Sequence, residues 1–392
     1  MKKKIAVLGS TGSIGMNTLK IIKDDIKNFQ VELLSTNKNI KKIYIQSKLF
    51  NVKNILISDK ISYLNSYNFF KKKKINTYNL IDEFLKKNKI KFDYTMSSIS
   101  GLDGLEPTLK IIKFTKNIAI ANKETIICGW NLIKKKLDKY KTVFIPVDSE
   151  HFSINELLKN SNINNVRKIY ITASGGPFLN LNPKQITKLD SNKAIQHPTW
   201  KMGKKISVDS STLMNKVFEV VEAKKIFNLP LSIFDIVVQP TSYVHGIVEF
   251  KNGFTKFLTH PTSMKIPIFS SIYSKEKIIS KFEKINFKKL NNLSFQPINY
   301  KNFPINKILK KIPNKDTLFE TVLVTANDTL VEKYLNNQIK FYEIYDILVK
   351  ILNSKEFIKF NKIKPKNLNQ IINLSNKVRL KTQSLSVISK KL

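Results

Sequence analysis

Several features common in secreted and membrane proteins are missing from this chain of 392 residues. Cys128 is the single cysteine, which excludes an internal disulfide and a cysteine metal cluster and fits a reducing compartment. No apolar run approaches the roughly 20 residues that a membrane span needs. The basic start is followed by an apolar run of only Ile5 to Leu8, too short for a signal-peptide core. We therefore expect a soluble, cytoplasmic protein without a targeting segment or a membrane partner.

Acidic side chains are also scarce. The chain has 29 Asp and Glu against 68 Lys and Arg, a formal net charge of +39. Such an excess is typical of nucleic-acid-binding proteins. Here, however, the lysines are scattered through every segment, and no zinc-finger or RNA-binding aromatic signature is present. We attribute the charge to composition and expect no nucleic-acid partner, although a field of this sign should attract anionic substrates and cofactors.

The length exceeds what one hydrophobic core usually serves, so we expect more than one domain. Up to about residue 150, short apolar runs alternate with helical patterns, which predicts an α/β domain with a Rossmann-like parallel sheet. The next segment is rich in strands around one clear helix, and the last part is mostly helical. The predicted boundaries are 1–149 for the Rossmann-like domain, 150–290 for an α+β domain, 291–310 for a linker and 311–392 for a C-terminal α-helical domain.

The turn GSTGSIG joins the first predicted strand to the first predicted helix and carries Gly9, Gly12 and Gly15. Glycines let the backbone approach a pyrophosphate, and the helix N-terminus adds free N–H groups. The alternative is an ordinary strand-to-helix turn, because the G-x-x-G-x-x-G spacing is not the commoner one. The second strand ends in LSTNKNIKK, without a carboxylate for a ribose 2′-hydroxyl, which favours NADP over NAD.

Two stretches carry closely spaced polar side chains that could form a site. In PVDSEH, Asp148 and Glu150 stand two residues apart and would point the same way in an extended chain. Two carboxylates so close either share a proton or have a cation between them. On the predicted helix SSTLMNKVFEVVEA, Asn215, Glu219 and Glu222 form a polar stripe opposite a broad apolar face. This stripe is either a solvated surface or part of a site.

Two further segments suit a phosphorylated ligand. HPTWKMGKKISVDSS holds Trp200 and Met202, which would be unusual in a plain surface loop and fit a mobile cover over a ligand. Ser210 and Ser211, near the helix start, either cap the helix or bind an anion there. In TASGGPF, Ser174 and two glycines follow a predicted strand and form a candidate phosphate cradle.

Five of these stretches, GSTGSIG, ANKE, PVDSEH, ASGGPF and HPTWKMGKKISVDSSTLMNK, resemble the 1-deoxy-D-xylulose 5-phosphate reductoisomerase family in order and spacing. Fainter likeness continues through SYVHGIVEF, MKIPI and TANDTLVEKYL. The resemblance implies an NADPH-dependent and divalent-metal-dependent enzyme of the non-mevalonate isoprenoid pathway. It would rearrange and then reduce 1-deoxyxylulose 5-phosphate, a small phosphorylated sugar, to 2-C-methylerythritol 4-phosphate. The resemblance also implies a homodimer and assigns catalysis and dimerisation to residues 150–290.

The resemblance further implies roles for individual residues. The metal ligands would be Asp148, Glu150 and Glu219, and carboxylate oxygens suit Mg²⁺ or Mn²⁺, with Co²⁺ as a further candidate. Besides the catalytic Glu150 and Glu219, Lys123 and Ser149 would contact the substrate's polar backbone, and His197 would lie beside the substrate. Its phosphate would be held by Ser174, Ser210, Asn215 and Lys216. NADPH would contact Thr11, Gly12, Ser13, Ile14, Asn37, Lys38, Asn39, Asn122, Glu124 and Gly203. Trp200 and Met202 would lie in a flap near 198–207, Glu222 beside the site, and His151 would have a structural role.

Some positions depart from the family pattern. Asn37 stands where glycine is common, Thr199 where Asn is usual, and Gln239 in place of a histidine, while HPTS replaces Pro-Asp before MKIPI. None of these departures removes a proposed metal ligand. Two alternatives remain. Another NADP-dependent dehydrogenase would act without added metal, and a basic nucleic-acid-binding protein would bind DNA or RNA in a salt-sensitive way without consuming NADPH.

Overall fold

The structure is a computed structural model, and it describes residues 1–186, 191–197, 199–200, 202–273 and 285–388. The chain divides into two compact units. Unit 1 is formed by the described residues within Met1–Ile126, Asn131–Asp148 and Met264–Ile278. Unit 2 is formed by those within Ile127–Trp130, Ser149–Ser263 and Ile279–Leu392.

Unit 1 is built around a parallel sheet. Its strands β1 to β7 are Lys3–Leu8, Phe29–Thr36, Asn54–Ile57, Asn76–Tyr78, Phe92–Ser97, Thr115–Ile120 and Val143–Pro146. They lie in the order β4-β3-β2-β1-β5-β6-β7, and every neighbouring pair is parallel. The helices α1 to α6 are Ser13–Lys23, Ile40–Leu49, Lys60–Lys72, Ile81–Lys87, Leu105–Ile111 and Lys123–Tyr140, and α12 is Lys265–Tyr273. Two 3-10 helices span Leu102–Gly104 and Ile112–Phe114.

The central strand explains why this part of the chain forms a doubly covered sheet. The side chains from Ile5 to Leu8 are all fully buried, and parallel strands with helices on both faces read as continuous apolar runs of this kind. Helix α12 packs against α1 and β7. The Tyr273 hydroxyl at its end donates a hydrogen bond to Asp25 Oδ2 at 2.7 Å. The predicted Rossmann-like parallel sheet is confirmed.

The strand order reverses direction around β1, which pairs with β2 on one side and β5 on the other. In open α/β sheets, ligands bind beyond the carboxyl ends of the strands at such a switch point. Gly9 follows β1 there with a φ of +79°, and a Cβ on it would lie 2.6 Å from the carbonyl oxygen of Ser98. Glycine is therefore required at this position both for its conformation and for its packing.

Unit 2 contains a smaller, mixed sheet. Its strands β8 to β11 are Val166–Ala173, Phe234–Val238, Val244–Phe250 and Thr255–Thr259. The order is β11-β10-β8-β9, with β10 antiparallel to both β8 and β11 and with β8 parallel to β9.

The helices of unit 2 pack on this sheet and beyond it. They are α7 Ser149–Leu158, α8 Pro183–Ile186, α9 Ser191–Ala194, α10 Lys204–Thr212, α11 Met214–Phe227, α13 Phe287–Asn291, α14 Phe319–Leu335, α15 Phe341–Asn353, α16 Lys355–Ile358 and α17 Leu368–Ile388. Four 3-10 helices span Ile163–Asn165, Leu231–Ile233, Pro304–Lys311 and Lys359–Lys362. Helix α7 packs against β10, α11 packs against β8 and β9, and α14 packs against α15 and α17.

A single residue joins helices α10 and α11. Leu213 has a φ of +63° and a ψ of 12°, in the left-handed region, although its side chain is buried. This conformation is unfavourable for a branched side chain. The corner between the two helices is therefore held by the packing around it.

The observed architecture confirms the predicted fold class, an α/β sheet domain followed by a second sheet and a helical C-terminal region. The predicted limits of the domains and of the linker at 291–310 stay predictions. Among the described residues, no helix combines the length and the apolar character needed to cross a membrane.

Candidate metal centre and substrate site

Three carboxylates come together at the start of α7. Asp148 directly precedes this helix, Glu150 lies in its first turn, and Glu219 lies on α11. One oxygen from each carboxylate lies within 4.8 Å of the others. Because Glu150 and Glu219 are only 8% and 1% exposed, water screens their repulsion poorly, and the cluster needs positive charge nearby.

Two lysines supply that charge. Lys216 Nζ lies 2.6 Å from Glu150 Oε1 and 2.7 Å from Glu219 Oε2. Lys123 Nζ lies 2.6 Å from Asp148 Oδ2. Charge-assisted hydrogen bonds of this length are stronger than neutral ones. Lys216, which was predicted to contact the substrate phosphate, therefore also bridges two of the predicted metal ligands.

Neighbouring polar groups orient the same carboxylates. Asn215 Nδ2 donates to Glu219 Oε1 at 2.5 Å, while the other oxygen of Glu219 faces Lys216. The hydroxyl of Ser149 donates to Glu150 Oε2. The structure thus brings Ser149, Asn215 and Lys216 together with the carboxylates.

His151 connects the two helices that carry these carboxylates. Its ring is fully buried, and its Nε2–H donates to the backbone oxygen of Glu219 at 2.9 Å. Its Nδ1 lies 3.5 Å from Glu222 Oε2. These contacts agree with the structural role predicted for His151 and with the position of Glu222 beside the site.

The loop after β8 packs against α10. Gly176 has a φ of +66°, and a Cβ on it would lie 2.9 Å from the carbonyl oxygen of Ser210. Only glycine permits this close approach. The backbone N–H of Gly176 donates to Ser174 Oγ at 3.2 Å. The predicted phosphate-binding residues Ser174 and Ser210 are therefore carried by two segments in direct contact.

His197 is held as a neutral hydrogen-bond donor. Its Nδ1 accepts the backbone N–H groups of Thr199 at 3.2 Å and Trp200 at 3.0 Å, so the proton of the neutral ring lies on Nε2, 3.0 Å from Ser174 Oγ. Burial, with the positive charge of Lys216, lowers the pKa of His197 to about 4. At neutral pH the ring can therefore donate to an anion without carrying a charge.

The described part of the predicted flap lies over aromatic rings. Trp200 is half-buried and packs edge-on against His245, with ring centroids 6.1 Å apart. His245 in turn stacks on His260 at 3.6 Å, and burial lowers the pKa of both rings. No pattern in the sequence predicted this stack. Pro198 and Lys201 of the predicted flap lie outside the described residues.

Two further flap positions lead into α10. Met202 is half-buried, whereas Gly203 is exposed and is the residue directly before α10. Neither position identifies a ligand by itself, and the role predicted for Gly203 with the cofactor stays a prediction.

The predicted cofactor turn has the expected local form. Helix α1 begins at Ser13, directly after Gly12, with no acidic residue in its first turn. Ile14 follows Ser13 in that turn and is partly buried. Thr11 Oγ1 lies 2.8 Å from Thr36 Oγ1, which links the turn to the end of β2. The free N–H groups of this helix end suit an anion.

The segment after β2 is exposed and polar. Asn37 Nδ2 donates to Ser58 Oγ at 3.0 Å, and Asn39 caps α2 by accepting from the N–H of Lys42. The side chain of Lys38 is 73% exposed and lies 3.9 Å from Asp59 Oδ2. The sequence at the end of β2 did not predict that a carboxylate would lie near Lys38, because Asp59 follows the next strand, β3.

Asn122 is engaged with the backbone. Its Oδ1 accepts the N–H of Thr125 at the start of α6, and its Nδ2 donates to the carbonyl oxygens of Ile99 and Gly101. Glu124, on the first turn of α6, is 8% exposed. The cofactor contacts predicted for these two residues stay predictions.

Comparison with known proteins covers nearly the whole chain. Residues 5–129 match the family model for 1-deoxy-D-xylulose 5-phosphate reductoisomerase, residues 144–227 match its C-terminal domain, and residues 260–381 match the DXP reductoisomerase C-terminal domain. The reductoisomerase of Pelagibacter ubique (strain HTCC1062) is 56% identical over 390 residues, which are 98% of this chain and 100% of that protein. The chain belongs to the 1-deoxy-D-xylulose 5-phosphate reductoisomerase family.

Other members agree with this assignment. The reductoisomerase of Persephonella marina is 37% identical over 357 residues, covering 91% of this chain and 92% of its own. The solved structure of the Zymomonas mobilis reductoisomerase in complex with NADPH is 30% identical, covers 98% of this chain and 99% of its own, and has a TM-score of 0.87. A reductoisomerase solved with NADPH, fosmidomycin and magnesium is 26% identical, covers 99% of both chains and has a TM-score of 0.92. The resemblance predicted from the sequence is thus confirmed.

Proposed function

We propose that this protein converts 1-deoxy-D-xylulose 5-phosphate to 2-C-methyl-D-erythritol 4-phosphate, using NADPH and a divalent metal ion. One observation carries the proposal at the level of the site. Asp148 and Glu150, two residues apart in the sequence, and Glu219, from the distant helix α11, converge within 4.8 Å, next to a serine, an asparagine and a lysine suited to a phosphorylated sugar. A dehydrogenase that acts without metal has no use for this cluster.

The metal ion would be held by Asp148, Glu150 and Glu219. Their oxygen donors suit Mg²⁺ or Mn²⁺. When bound, the ion would supply Lewis-acid stabilisation of negative charge on the substrate oxygens. The hydrogen bonds from Asn215 and Lys216 hold Glu219 in one orientation, which supports a site organised before the ion arrives.

NADPH would bind at the turn between β1 and α1, where its pyrophosphate would meet the N-terminus of α1 at Gly12 and Ser13. When bound, it would supply the hydride for the reduction. Lys38, exposed beyond the end of β2, would face the 2′-phosphate with Asn37 and Asn39. The carboxylate of Asp59, which lies near Lys38, also caps α3 through Oδ1. The exposed ammonium and amide groups of this segment therefore suit a phosphate.

The substrate's phosphate would be bound by Ser174, Ser210, Asn215 and Lys216, with His197 beside the substrate. The contact of Gly176 with the backbone of Ser210 keeps the two serine-bearing segments together. The neutral His197 donates through Nε2 and is positioned by backbone N–H groups of the flap. Closure of the flap over a bound substrate would thus be linked to the hydrogen bonds of His197 and would exclude water from the site.

Consumption of NADPH, followed by its absorbance with 1-deoxy-D-xylulose 5-phosphate as substrate, tests the proposal. We expect turnover with Mg²⁺ or Mn²⁺ and none after removal of divalent ions with a chelator. Turnover that persists in the chelator, or no turnover with any metal, would contradict it. The choice between magnesium and manganese and the cytoplasmic location stay predictions.

We also propose that the protein is a homodimer, formed through strand β11. This strand lies at an edge of the unit 2 sheet, and an exposed edge can pair with a second chain. Phe254 and Phe257 at this edge are 69% and 51% exposed. The opposite edge differs, because Val238 on β9 pairs with Gln296. A second copy of the chain therefore fits β11 better than β9.

Phe257→Asp should shift the protein from dimer to monomer in light scattering at micromolar concentration, because it places a charge in the apolar contact. The matched control is Ile61→Asp on α3, where the side chain is 70% exposed, and it should remain a dimer. An unchanged mass for Phe257→Asp would exclude β11 as the contact.

A further inference from the structure

We propose that Lys205 is a positioning residue that sets the angle between α10 and α11. It thereby fixes the distance between the proposed phosphate-binding residue Ser210 on α10 and the proposed metal ligand Glu219 on α11. The inference rests on the proposed function, because it concerns how the chain presents the substrate-binding residues. The cation lies at the place where three helices of unit 2 meet.

Lys205 contacts all three helices. On its own helix, α10, its Nζ lies 3.0 Å from Asp209 Oδ2. On α14, it lies 3.0 Å from Asp328 Oδ1. On α11, it stands over the ring of Phe218, 5.2 Å from the centroid, within the range of a cation–π contact. One ammonium group thus joins α10, α11 and α14.

The central carboxylate of this cluster is buried. Asp209 is 2% exposed, and its other oxygen, Oδ1, accepts from Asn327 Nδ2 at 2.8 Å. Removing the cation from a buried carboxylate is much more disruptive than removing an exposed ion pair. Asp209 directly precedes Ser210, so a shift of this carboxylate moves the backbone of a proposed phosphate-binding residue.

The corner between α10 and α11 makes the position of Lys205 consequential. The two helices are joined by Leu213 alone, in a left-handed conformation that the surroundings must maintain. Ser210 lies on one side of this residue, and Asn215, Lys216 and Glu219 lie on the other. Any change in the corner therefore alters the distance between the phosphate-binding serine and the metal-binding carboxylate.

The test is Lys205→Met, which keeps an apolar stem of similar length and removes the charge. We expect KM for 1-deoxy-D-xylulose 5-phosphate to rise about tenfold or more, since small misplacements of substrate-binding groups are costly. The KM for NADPH should stay within about twofold, because the contacts of Lys205 with Asp209, Asp328 and Phe218 all lie in unit 2. Lys350→Met, at an exposed position of α15, is the matched control for the loss of one positive charge and should leave both constants unchanged.

A second variant covers the case in which Lys205→Met fails to fold. Asp328→Asn removes the partner on α14 but leaves Asp209 paired with Lys205, and it should raise the substrate KM about threefold with NADPH unaffected. If the folded variants lose thermal stability while the substrate KM stays within twofold of the wild type, Lys205 only stabilises the fold and the inference is wrong. Absence of turnover in the wild type would instead contradict the proposed function, so the two failures are distinguishable.

Discussion

Glu219→Gln should lower turnover by about a thousandfold or more, which corresponds to roughly 4 kcal/mol of lost transition-state stabilisation. The side chain is 1% exposed and receives hydrogen bonds from both Lys216 and Asn215. An amide keeps the shape of the side chain but removes the charge that a metal ion needs. Affinity for NADPH, measured by fluorescence titration, should stay nearly unchanged because the proposed cofactor residues around α1 belong to unit 1, whereas Glu219 belongs to unit 2.

Binding of Mn²⁺ to the Glu219→Gln protein, measured by calorimetry, provides a readout that does not depend on turnover. We expect it to weaken at least about tenfold. The matched control is Glu332→Gln on α14, where the carboxylate is 62% exposed, and it should match the wild type in both assays. Loss of NADPH binding in Glu219→Gln would show that the proposed separation of cofactor and metal residues is wrong.

Lys216→Met should destabilise the metal-free protein by about 3–5 kcal/mol and reduce turnover at least about a hundredfold. The ammonium bridges Glu150 and Glu219, and without it two buried carboxylates repel each other. A divalent ion brings the same sign of charge to the same carboxylates. Added Mg²⁺ or Mn²⁺ should therefore raise the melting temperature of the variant by more than it raises that of the wild type.

The comparison needs only thermal unfolding with and without the ion. Lys350→Met again controls for the change in net charge and should respond to metal as the wild type does. Equal metal-induced shifts in Lys216→Met and in the wild type would mean that this lysine does not compensate the carboxylates.

Local patterns were sufficient to predict much of the fold. The apolar run from Ile5 to Leu8 identifies β1, because a strand buried on both faces needs consecutive apolar residues. The glycines that follow identify its turn, because a tight backbone approach needs residues without a Cβ. The polar stripe on α11 likewise marks Glu219. These features depend on residues close together in the chain.

The cations of the metal centre could not be predicted as partners in the same way. Lys123 is 25 residues from Asp148, and Lys216 is 66 residues from Glu150. In a chain with 68 basic residues, no local pattern selects these two lysines as partners of those carboxylates. Only the packing of α7 against α11 brings Lys216 and Glu150 together.

The histidines illustrate the same limit. His245 and His260 are 15 residues apart on separate segments, and their stack exists only because β10 and the chain after β11 lie side by side. The backbone bonds that fix the tautomer of His197 come from the flap itself. Neither arrangement has a periodic or compositional signal.

The charges around the three carboxylates have a consequence for the order of binding. Three carboxylates and the two ammonium groups of Lys123 and Lys216 leave the cluster with one negative charge. This local charge would repel a phosphate ester, in opposition to the attraction expected from the chain's overall positive charge. A divalent ion held by the carboxylates would reverse the local sign and turn repulsion into attraction, so saturation with the sugar phosphate should require prior saturation with metal.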